Sequence, residues 1–194
     1  MRQTLLLSAS LVLLAAPSRA DPARYELDPS HTTVSFLVSH AGYAGRLGLF
    51  SGIEGAFTYD MDTQALSDLK VRVRTDTVIT LNEARDQHLR SGDFLNVSAH
   101  PVMTFTADGG TPKGDNSGTV EGTLTLLGES RPLTLEVTLN KAEAYPFGHK
   151  RFVLGLSARG SVRRSDFGMR YGVDNGLVGD EVQITIETEA MRVE

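Results

Sequence analysis

The feature that most constrains this chain is an alternation of apolar and polar residues that recurs from about residue 32 to the C-terminus. Leu69, Val71 and Val73 occupy every second position of one segment, and lysine or arginine fills the positions between them. Successive side chains of a strand point to opposite faces, so each such segment has one apolar face. Many strands of this kind must bury their apolar faces together, and a closed barrel does so without open sheet edges. The pattern predicts an all-β fold.

The first twenty residues differ in composition from the rest. A basic start at Arg2, an apolar run from Leu5 to Ala16 and a small-residue site ending at Ala20 are typical of a secretory signal peptide. The apolar run is too short for a membrane-spanning helix, which needs about twenty residues. We therefore expect a signal peptide at residues 1–20, one domain at residues 21–194 and export to the bacterial periplasm, with no transmembrane span in the mature chain.

Charge and cysteine content narrow the function further. The formal net charge is −5, and an acidic domain is a poor partner for nucleic acid because phosphate binding needs clustered cations. The chain has no cysteine, so an exported protein of this sequence must be stabilised by packing rather than by disulfides.

Strand and helix boundaries follow from the alternation and from capping residues. Asn82 can cap a short helix near residues 82–91, which we expect to lie outside the sheet or across one end of the barrel. The three glycines of residues 41–48 interrupt the alternation and predict a turn or loop, and the glycine-rich residues 108–118 predict a hairpin loop. Strands are predicted at residues 24–28, 32–40, 51–60, 68–75, 101–107, 119–127, 131–140, 151–163 and 180–190. Short connections between consecutive strands indicate an antiparallel meander.

Several segments together resemble one known family. They are Tyr25-Glu26-Leu27-Asp28-Pro29-Ser30-His31, the stretch from Arg85 to Phe94 that contains Arg-Asp-x-His-Leu-x-Ser-x-Asp-Phe, His100-Pro101, Gly122-Thr123-Leu124-Thr125, and Arg164-Ser165-Asp166-Phe167-Gly168. In this order they resemble the YceI-like family of periplasmic polyisoprenoid-binding proteins. The resemblance implies an eight-stranded antiparallel, lipocalin-like barrel with a long isoprenoid or related amphiphile in its interior.

The candidate ligand-binding residues are the apolar ones that we expect to face the interior or its entrance. Any one of them would also suit an ordinary core, and only the resemblance favours a ligand for the whole set. They are Phe36, Val38, Phe57, Leu69, Val71, Val73, Leu89, Phe94, Phe105, Leu124, Leu135, Val137, Leu154, Leu156 and Phe167.

Five polar residues could meet a ligand head group or hold the structure together. Arg85, Asp86 and His88 belong to the predicted helix, and Arg164 and Asp166 belong to the last family-like segment. A head-group role would place the helix at the barrel entrance, where it would guard the opening together with the glycine-rich loops. The structural alternative is that Arg85 and Asp86 tie the helix to its neighbours through hydrogen bonds.

Other chemistry has little support in the sequence. The histidines lack the paired spacing of a zinc site, and no serine lies in a Gly-x-Ser-x-Gly turn. We therefore expect no metal, no cofactor other than a bound lipid, and no enzymatic activity.

The sequence leads to two alternative functions. The first is a carrier for an apolar long-chain amphiphile (a polyisoprenoid, a quinone or a fatty-acid-like lipid) held in the barrel. The second is a stress-related protein-interaction module whose barrel has a solid core. The oligomeric state, including a homodimer, is left open by the sequence.

Overall fold

A computed structural model of the chain describes residues 21–193, so the signal peptide predicted at residues 1–20 lies outside the described residues. The described part contains one α-helix, α1 (Glu83–Arg90), and three 3-10 turns at Pro29–His31, Thr75–Thr77 and Arg164–Phe167. The strands are β1 (Ala23–Leu27), β2 (Thr33–His40), β3 (Ala44–Phe50), β4 (Ile53–Tyr59), β5 (Leu66–Arg74), β6 (Val102–Ala107), β7 (Thr111–Pro112), β8 (Ser117–Leu126), β9 (Glu129–Ala144), β10 (Phe152–Arg163) and β11 (Val178–Arg192). Among these residues no helix has both the length and the apolar character needed to cross a bilayer.

Eight strands close into an antiparallel barrel, as predicted. Neighbouring strands follow the order β1-β4-β5-β6-β8-β9-β10-β11, and β11 pairs with β1 to complete the ring. In this last pairing Tyr25 lies opposite Arg192 and Leu27 lies opposite Ala190. Because the sheet closes on itself, these eight strands need no further chain to cover their edges.

Two parts of the barrel wall, β1–β2 and β3–β4, each consist of two consecutive strands separated by a short bend. β1 and β2 follow one another along the same edge of β11, separated by the 3-10 turn at Pro29–His31. β2 turns back into β3, and β3 leads through residues 51–52 into β4, which pairs with β1. The β2–β3 hairpin therefore extends the barrel wall on one side only.

Asp28 stabilises the bend between β1 and β2. Its carboxylate accepts hydrogen bonds from the backbone N–H and the hydroxyl of Ser30, at 2.9 and 2.6 Å, and lies 2.7 Å from His31 Nδ1. The hydrogen bond from the Ser30 hydroxyl makes the largest contribution to lowering the pKa of Asp28, which is about 2. The folded state therefore favours the ionised form of the Asp28 carboxylate.

The connections divide the barrel into two different ends. At what we call the open end, three loops join the strands: residues 60–65, 108–116 and 145–151. At the opposite end, which we call the capped end, lie residues 41–43, 75–101, 127–128 and 164–177. The longest of these connections, 75–101, carries α1, so most of the non-strand chain is at the capped end.

The helix prediction is confirmed, and one loop prediction is wrong. Asn82 caps α1 by accepting a hydrogen bond from the Arg85 backbone N–H at 3.0 Å. Residues 44–48, expected to be a turn or loop, instead form most of β3. The glycines are there because cross-strand side chains lie over them: a Cβ at Gly48 would be 2.2 Å from the Phe36 ring. In this strand glycine makes room for a neighbour and does not break the strand.

Substitution of Gly48 tests this explanation. We expect Gly48→Ala to lower the free energy of unfolding by about 1–3 kcal/mol, because the Phe36 ring must move away from the new methyl group. Gly92→Ala is the matched control, since a Cβ there meets nothing within 4 Å. Urea denaturation of both variants measures the difference. Equal stability of the two variants would show that the Phe36 ring does not require glycine at position 48.

The low pKa of Asp28 makes the stability depend on pH. A folded-state pKa of about 2, below the ordinary value of 3.8, stabilises the fold above pH 4 and loses that contribution as the pH falls towards 2. We expect Asp28→Asn to cost at most about 2 kcal/mol at pH 5–7 and much less at pH 2. Urea denaturation across this pH range measures the effect. A cost that is the same at both ends of the range would contradict a role for the charged carboxylate.

Candidate functional site

A cavity extends inward from the open end of the barrel, and along β4, β5 and β6 it reaches Ile53, Val73 and Met103 near the capped ends of those strands. Its volume is about 260 Å³, which exceeds the apolar cavities of about 150 Å³ that take up benzene. Apolar side chains from most of the barrel strands line it. They include Leu27, Val34, Ile53, Phe57, Tyr59, Leu66, Leu69, Val71, Val73, Met103, Phe105, Val120, Leu124, Leu133, Leu135, Val137, Leu139, Leu154, Leu156, Ala158, Ile184 and Ile186. Such a lining suits a hydrocarbon and offers little to a strongly polar molecule.

Polar groups of the lining are concentrated at the rim of the open end. Residues 110–112 and 114–119, around the β7–β8 hairpin, form one side of the rim, and Gln64 forms another. Gln64 Nε2 donates a hydrogen bond to the Asp115 carbonyl at 3.2 Å, which connects the two sides. Among the described residues of the lining there is no lysine, arginine or histidine, and Asp115 is the single charged side chain.

Aromatic side chains pack together at the capped end of the barrel. The rings of Phe36 and Phe50 pack with centroids 5.7 Å apart, and those of Phe94 and Tyr171 lie 5.1 Å apart. His88 packs edge-on against Phe94 at 5.0 Å and against Tyr171 at 4.9 Å. Aromatic rings from two strands, β2 and β3, and from two long connections thus pack at this end, and none of them lines the cavity.

Arg164 is the buried cation of this capped end. Only 3% of its surface is exposed, and it donates hydrogen bonds of 2.7–3.0 Å to the carbonyls of Met169, Tyr171, Val178 and Gly179. Its guanidinium carbon lies 5.9 Å from the centre of the Phe94 ring. Burial lowers the pKa of Arg164 from its ordinary value. Through these hydrogen bonds the Arg164 side chain holds residues 164–179 together.

The carboxylate bonded to the residues on either side of Arg164 is that of Asp180, whereas Asp166, the predicted head-group or structural residue, is exposed. The Asp180 carboxylate accepts hydrogen bonds from the backbone N–H and hydroxyl of Ser165 and from Arg163 Nε. Burial alone would raise the pKa of Asp180, but these hydrogen bonds outweigh it and hold the pKa below its ordinary value. A head-group role of Asp166 stays a prediction, and Asp180 is a structural residue that the sequence analysis did not select.

The polar residues of α1 hold the helix in place. The buried carboxylate of Asp86 accepts hydrogen bonds from both the backbone N–H and the hydroxyl of Thr80. Arg85 donates from Nε to the Thr80 hydroxyl and from Nη2 to the Thr80 carbonyl, each at 2.7 Å. Arg90, which sequence reasoning missed, donates to the carbonyls of Asp76 and Val78 at 2.8 Å. The hydrogen bonds expected from the structural alternative are therefore present.

The structure divides the fifteen predicted ligand-binding residues into two groups. Ten line the cavity: Phe57, Leu69, Val71, Val73, Phe105, Leu124, Leu135, Val137, Leu154 and Leu156. The other five lie outside the cavity lining: Phe36, Val38, Leu89, Phe94 and Phe167. That the lining residues contact a ligand stays a prediction.

The expected position of the helix is also corrected. No described residue between 74 and 102 lines the cavity, so α1 does not guard the entrance, and Arg85, Asp86 and His88 lie away from the rim. The physical reason is that α1 joins the end of β5 to the start of β6, and those strand ends are at the capped end. The entrance is bordered instead by the β7–β8 hairpin, a glycine-rich loop that we had expected to share this role.

Sequence reasoning missed twelve apolar lining residues, although several carried the same signal as those it found. Leu133 and Leu139 share the phase of Leu135 on β9, and Ile184 and Ile186 alternate with polar residues on β11. Met103 likewise shares the phase of the predicted Phe105 on β6.

The sequence profile of the YceI-like domain matches residues 25–190 of this chain. The chain belongs to the YceI family. The protein YceI of Escherichia coli is 34% identical over 184 residues, which cover 95% of this chain and 94% of that protein.

Solved structures agree with this assignment. The crystal structure of the Campylobacter jejuni YceI protein superposes with a TM-score of 0.70 and 27% sequence identity, covering 76% of this chain and 85% of that one. A polyisoprenoid-binding domain from Saccharophagus degradans superposes with a TM-score of 0.61 at 13% identity, covering 89% and 100% of the two chains, and shows the shared fold.

Within this YceI-like domain, the family-like segment from Arg85 to Phe94 packs at the capped end of the barrel. Asp86 and Arg85 fix Thr80, Leu89 packs against the core, and Phe94 lies under Arg164. The motif therefore packs at the capped end and does not line the cavity.

One cluster of potential metal ligands occurs among the described residues. Ligand atoms of Asp28, His31 and Glu189 lie within 4.8 Å of one another on the outside of the barrel. The hydrogen bonds of Asp28 at the β1–β2 bend account for this arrangement without an ion.

Replacement of Arg164 tests its structural role. We expect Arg164→Lys to lower the free energy of unfolding by at least about 2 kcal/mol, because one ammonium cannot reach four separate carbonyls. Arg163→Lys is the control, since the Arg163 side chain is 70% exposed and its pair with Asp180 should contribute less than about 1 kcal/mol. Urea denaturation of the two variants compares the costs, and lipid content per folded protein should be unchanged in both. Loss of bound lipid without loss of stability would instead indicate a head-group role.

Proposed function

We propose that this protein is a periplasmic carrier for an apolar long-chain amphiphile, whose hydrocarbon part lies in the barrel cavity. The cavity at the open end, lined by apolar side chains, is the observation on which the proposal depends. Each buried methylene contributes about 0.8 kcal/mol, so a long tail could drive binding with little help from a head group, even after the cost of ordering it. The Saccharophagus degradans domain with the same fold is named a polyisoprenoid-binding domain, which supports the same class of ligand.

The rim suggests what the polar end of the ligand is like. The described lining offers amide, hydroxyl and backbone groups but no cation, and its one charge is the Asp115 carboxylate. An alcohol, carbonyl or quinone would find hydrogen-bond partners there, whereas a phosphate or carboxylate would find no cation and one like charge. We therefore favour a neutral polar end, as in a quinone or a prenyl alcohol.

The interaction module with a solid barrel core is the weaker alternative. Aromatic rings pack at the capped end, but an apolar cavity extends inward from the open end. A protein that acts only through its outer surface would gain stability from filling that space.

Export to the periplasm is part of the proposal and is supported by the signal-peptide pattern of residues 1–20 and by relatives from bacteria.

Extraction of native protein tests the proposal directly. Protein purified from the periplasm without detergent and then extracted with organic solvent should release one class of long-chain lipid, identified by mass spectrometry. Delipidated protein should take the same lipid up again. Failure of both, with protein that remains folded, would overturn the proposal.

A substitution inside the cavity provides the matched test. We expect Val71→Trp to reduce bound lipid at least about two-fold, because the indole takes up space that the tail would occupy. Lys70→Trp is the control, since the neighbouring side chain on β5 points to the outer, exposed face. Lipid per folded protein and the free energy of unfolding are measured for both variants. Unchanged lipid content in folded Val71→Trp would show that the cavity is not the binding site.

A further inference from the structure

The β9–β10 hairpin reaches beyond the rim of the cavity. Leu139, which lines the cavity, donates its backbone N–H to the carbonyl of the rim residue Asn116 at 2.8 Å. The pairing of β8 with β9 ends next to this point, with Ser117 opposite Thr138. β9 continues five residues further, to Ala144, paired with β10 alone, which corresponds to about 17 Å of strand. The tip of the hairpin, residues 145–151, therefore projects at the open end.

The tip carries a cluster of aromatic rings that the barrel does not bury. The Tyr145 ring packs against Phe147 at 5.0 Å and against His149 at 4.8 Å between centroids. Phe147 is 65% exposed, although a phenylalanine gains more from burial than almost any other side chain. The backbone holds the cluster in shape, because Tyr145 N–H donates to the Arg151 carbonyl at 2.8 Å. The aromatic cluster is thus exposed to solvent, and a backbone hydrogen bond closes the turn that carries it.

Positive charge accompanies these rings. The tip reads Tyr-Pro-Phe-Gly-His-Lys-Arg and contains no aspartate or glutamate, in a chain whose formal net charge is −5. Lys150 and Arg151 are exposed; Lys150 Nζ donates one hydrogen bond to the Pro146 carbonyl and keeps two donors free. No ion pair within 4.0 Å involves Lys150 or Arg151 in the described chain, whereas the cation nearest along the hairpin, Lys141, is paired with Glu143.

We propose that the tip of the β9–β10 hairpin, residues 145–151, docks the open end of the barrel on an anionic lipid bilayer. An exposed aromatic ring beside unpaired cations fits this partner, because aromatic side chains favour the membrane interface and cations favour anionic head groups. The acidic remainder of the domain is repelled by the same surface, so the tip determines which end approaches it. The docking depends on the chemistry of the tip alone, and only its use in ligand transfer depends on the proposed carrier function.

Vesicle binding tests the proposal. Wild-type protein should bind vesicles of phosphatidylcholine and phosphatidylglycerol more strongly than vesicles of phosphatidylcholine alone, and added salt should weaken the binding. Removing both charges in the Lys150→Gln, Arg151→Gln double variant should weaken binding to the mixed vesicles roughly 30-fold. Phe147→Ser should weaken it several-fold at every salt concentration, because the ring contributes apolar burial rather than charge. Co-sedimentation at a series of lipid concentrations measures each affinity.

The control variants lie at the capped end. Tyr43→Ser removes an aromatic side chain that is 91% exposed, and Arg46→Gln removes an exposed cation. Both should bind the mixed vesicles like wild type. Equal binding by all variants, equal weakening in the controls, or no preference of wild type for anionic vesicles would each overturn the proposal.

A second measurement separates docking from ligand binding. The tip variants should keep the melting temperature and the bound lipid of wild type, because none of the substituted side chains lines the cavity. Weakened vesicle binding with normal lipid content supports docking by the tip. Docking without any lipid in the cavity would contradict the carrier function and leave the docking surface standing.

Discussion

The architecture depends on one strand that serves three neighbours. β11 pairs with β10 along one edge, while its other edge is shared between β2 and β1. The short pairing with β1 closes the ring, and there Ala190 lies opposite both Leu27 and Leu154. Ala190 is fully buried, and its small side chain leaves room for the two leucines on either side. Without this closure, β1 and β11 would be open edges of a sheet, and the space inside would be open to water.

The closed ring has two different halves because its connections differ in length. At the capped end, residues 75–101 and 164–177 are long enough to lay rings and a buried arginine across the opening. At the open end, the connections are shorter than these two, and Gln64 and residues of the 108–116 connection border the cavity. Packing at the capped end stabilises the fold, while the cavity that opens at the other end remains available for binding.

Much of the fold could be predicted from the chain because its signals are local. Alternation placed most of the strands, and the capping residue Asn82 placed α1 to within a residue. β3 was missed because Gly45 and Gly48 look like turn residues, whereas their reason is the cross-strand side chains of Leu37 and Phe36. The candidate site was only partly predictable. Strand phase predicts which side chains point inward, but not how far along the barrel the cavity extends, so Phe36 and Val38 share a face with Val34 and lie outside its lining.

The sequence by itself determined that this chain forms an apolar-lined antiparallel barrel with one short helix, because periodicity and caps act between near neighbours in the chain. Its family-like segments also determined membership of the YceI family. Only the tertiary structure decided which end opens into the cavity, that Asp180 bonds to the residues beside Arg164, and that the segment from Arg85 to Phe94 packs at the capped end. Those outcomes depend on contacts between residues far apart in sequence, whose geometry exists only once the barrel has closed.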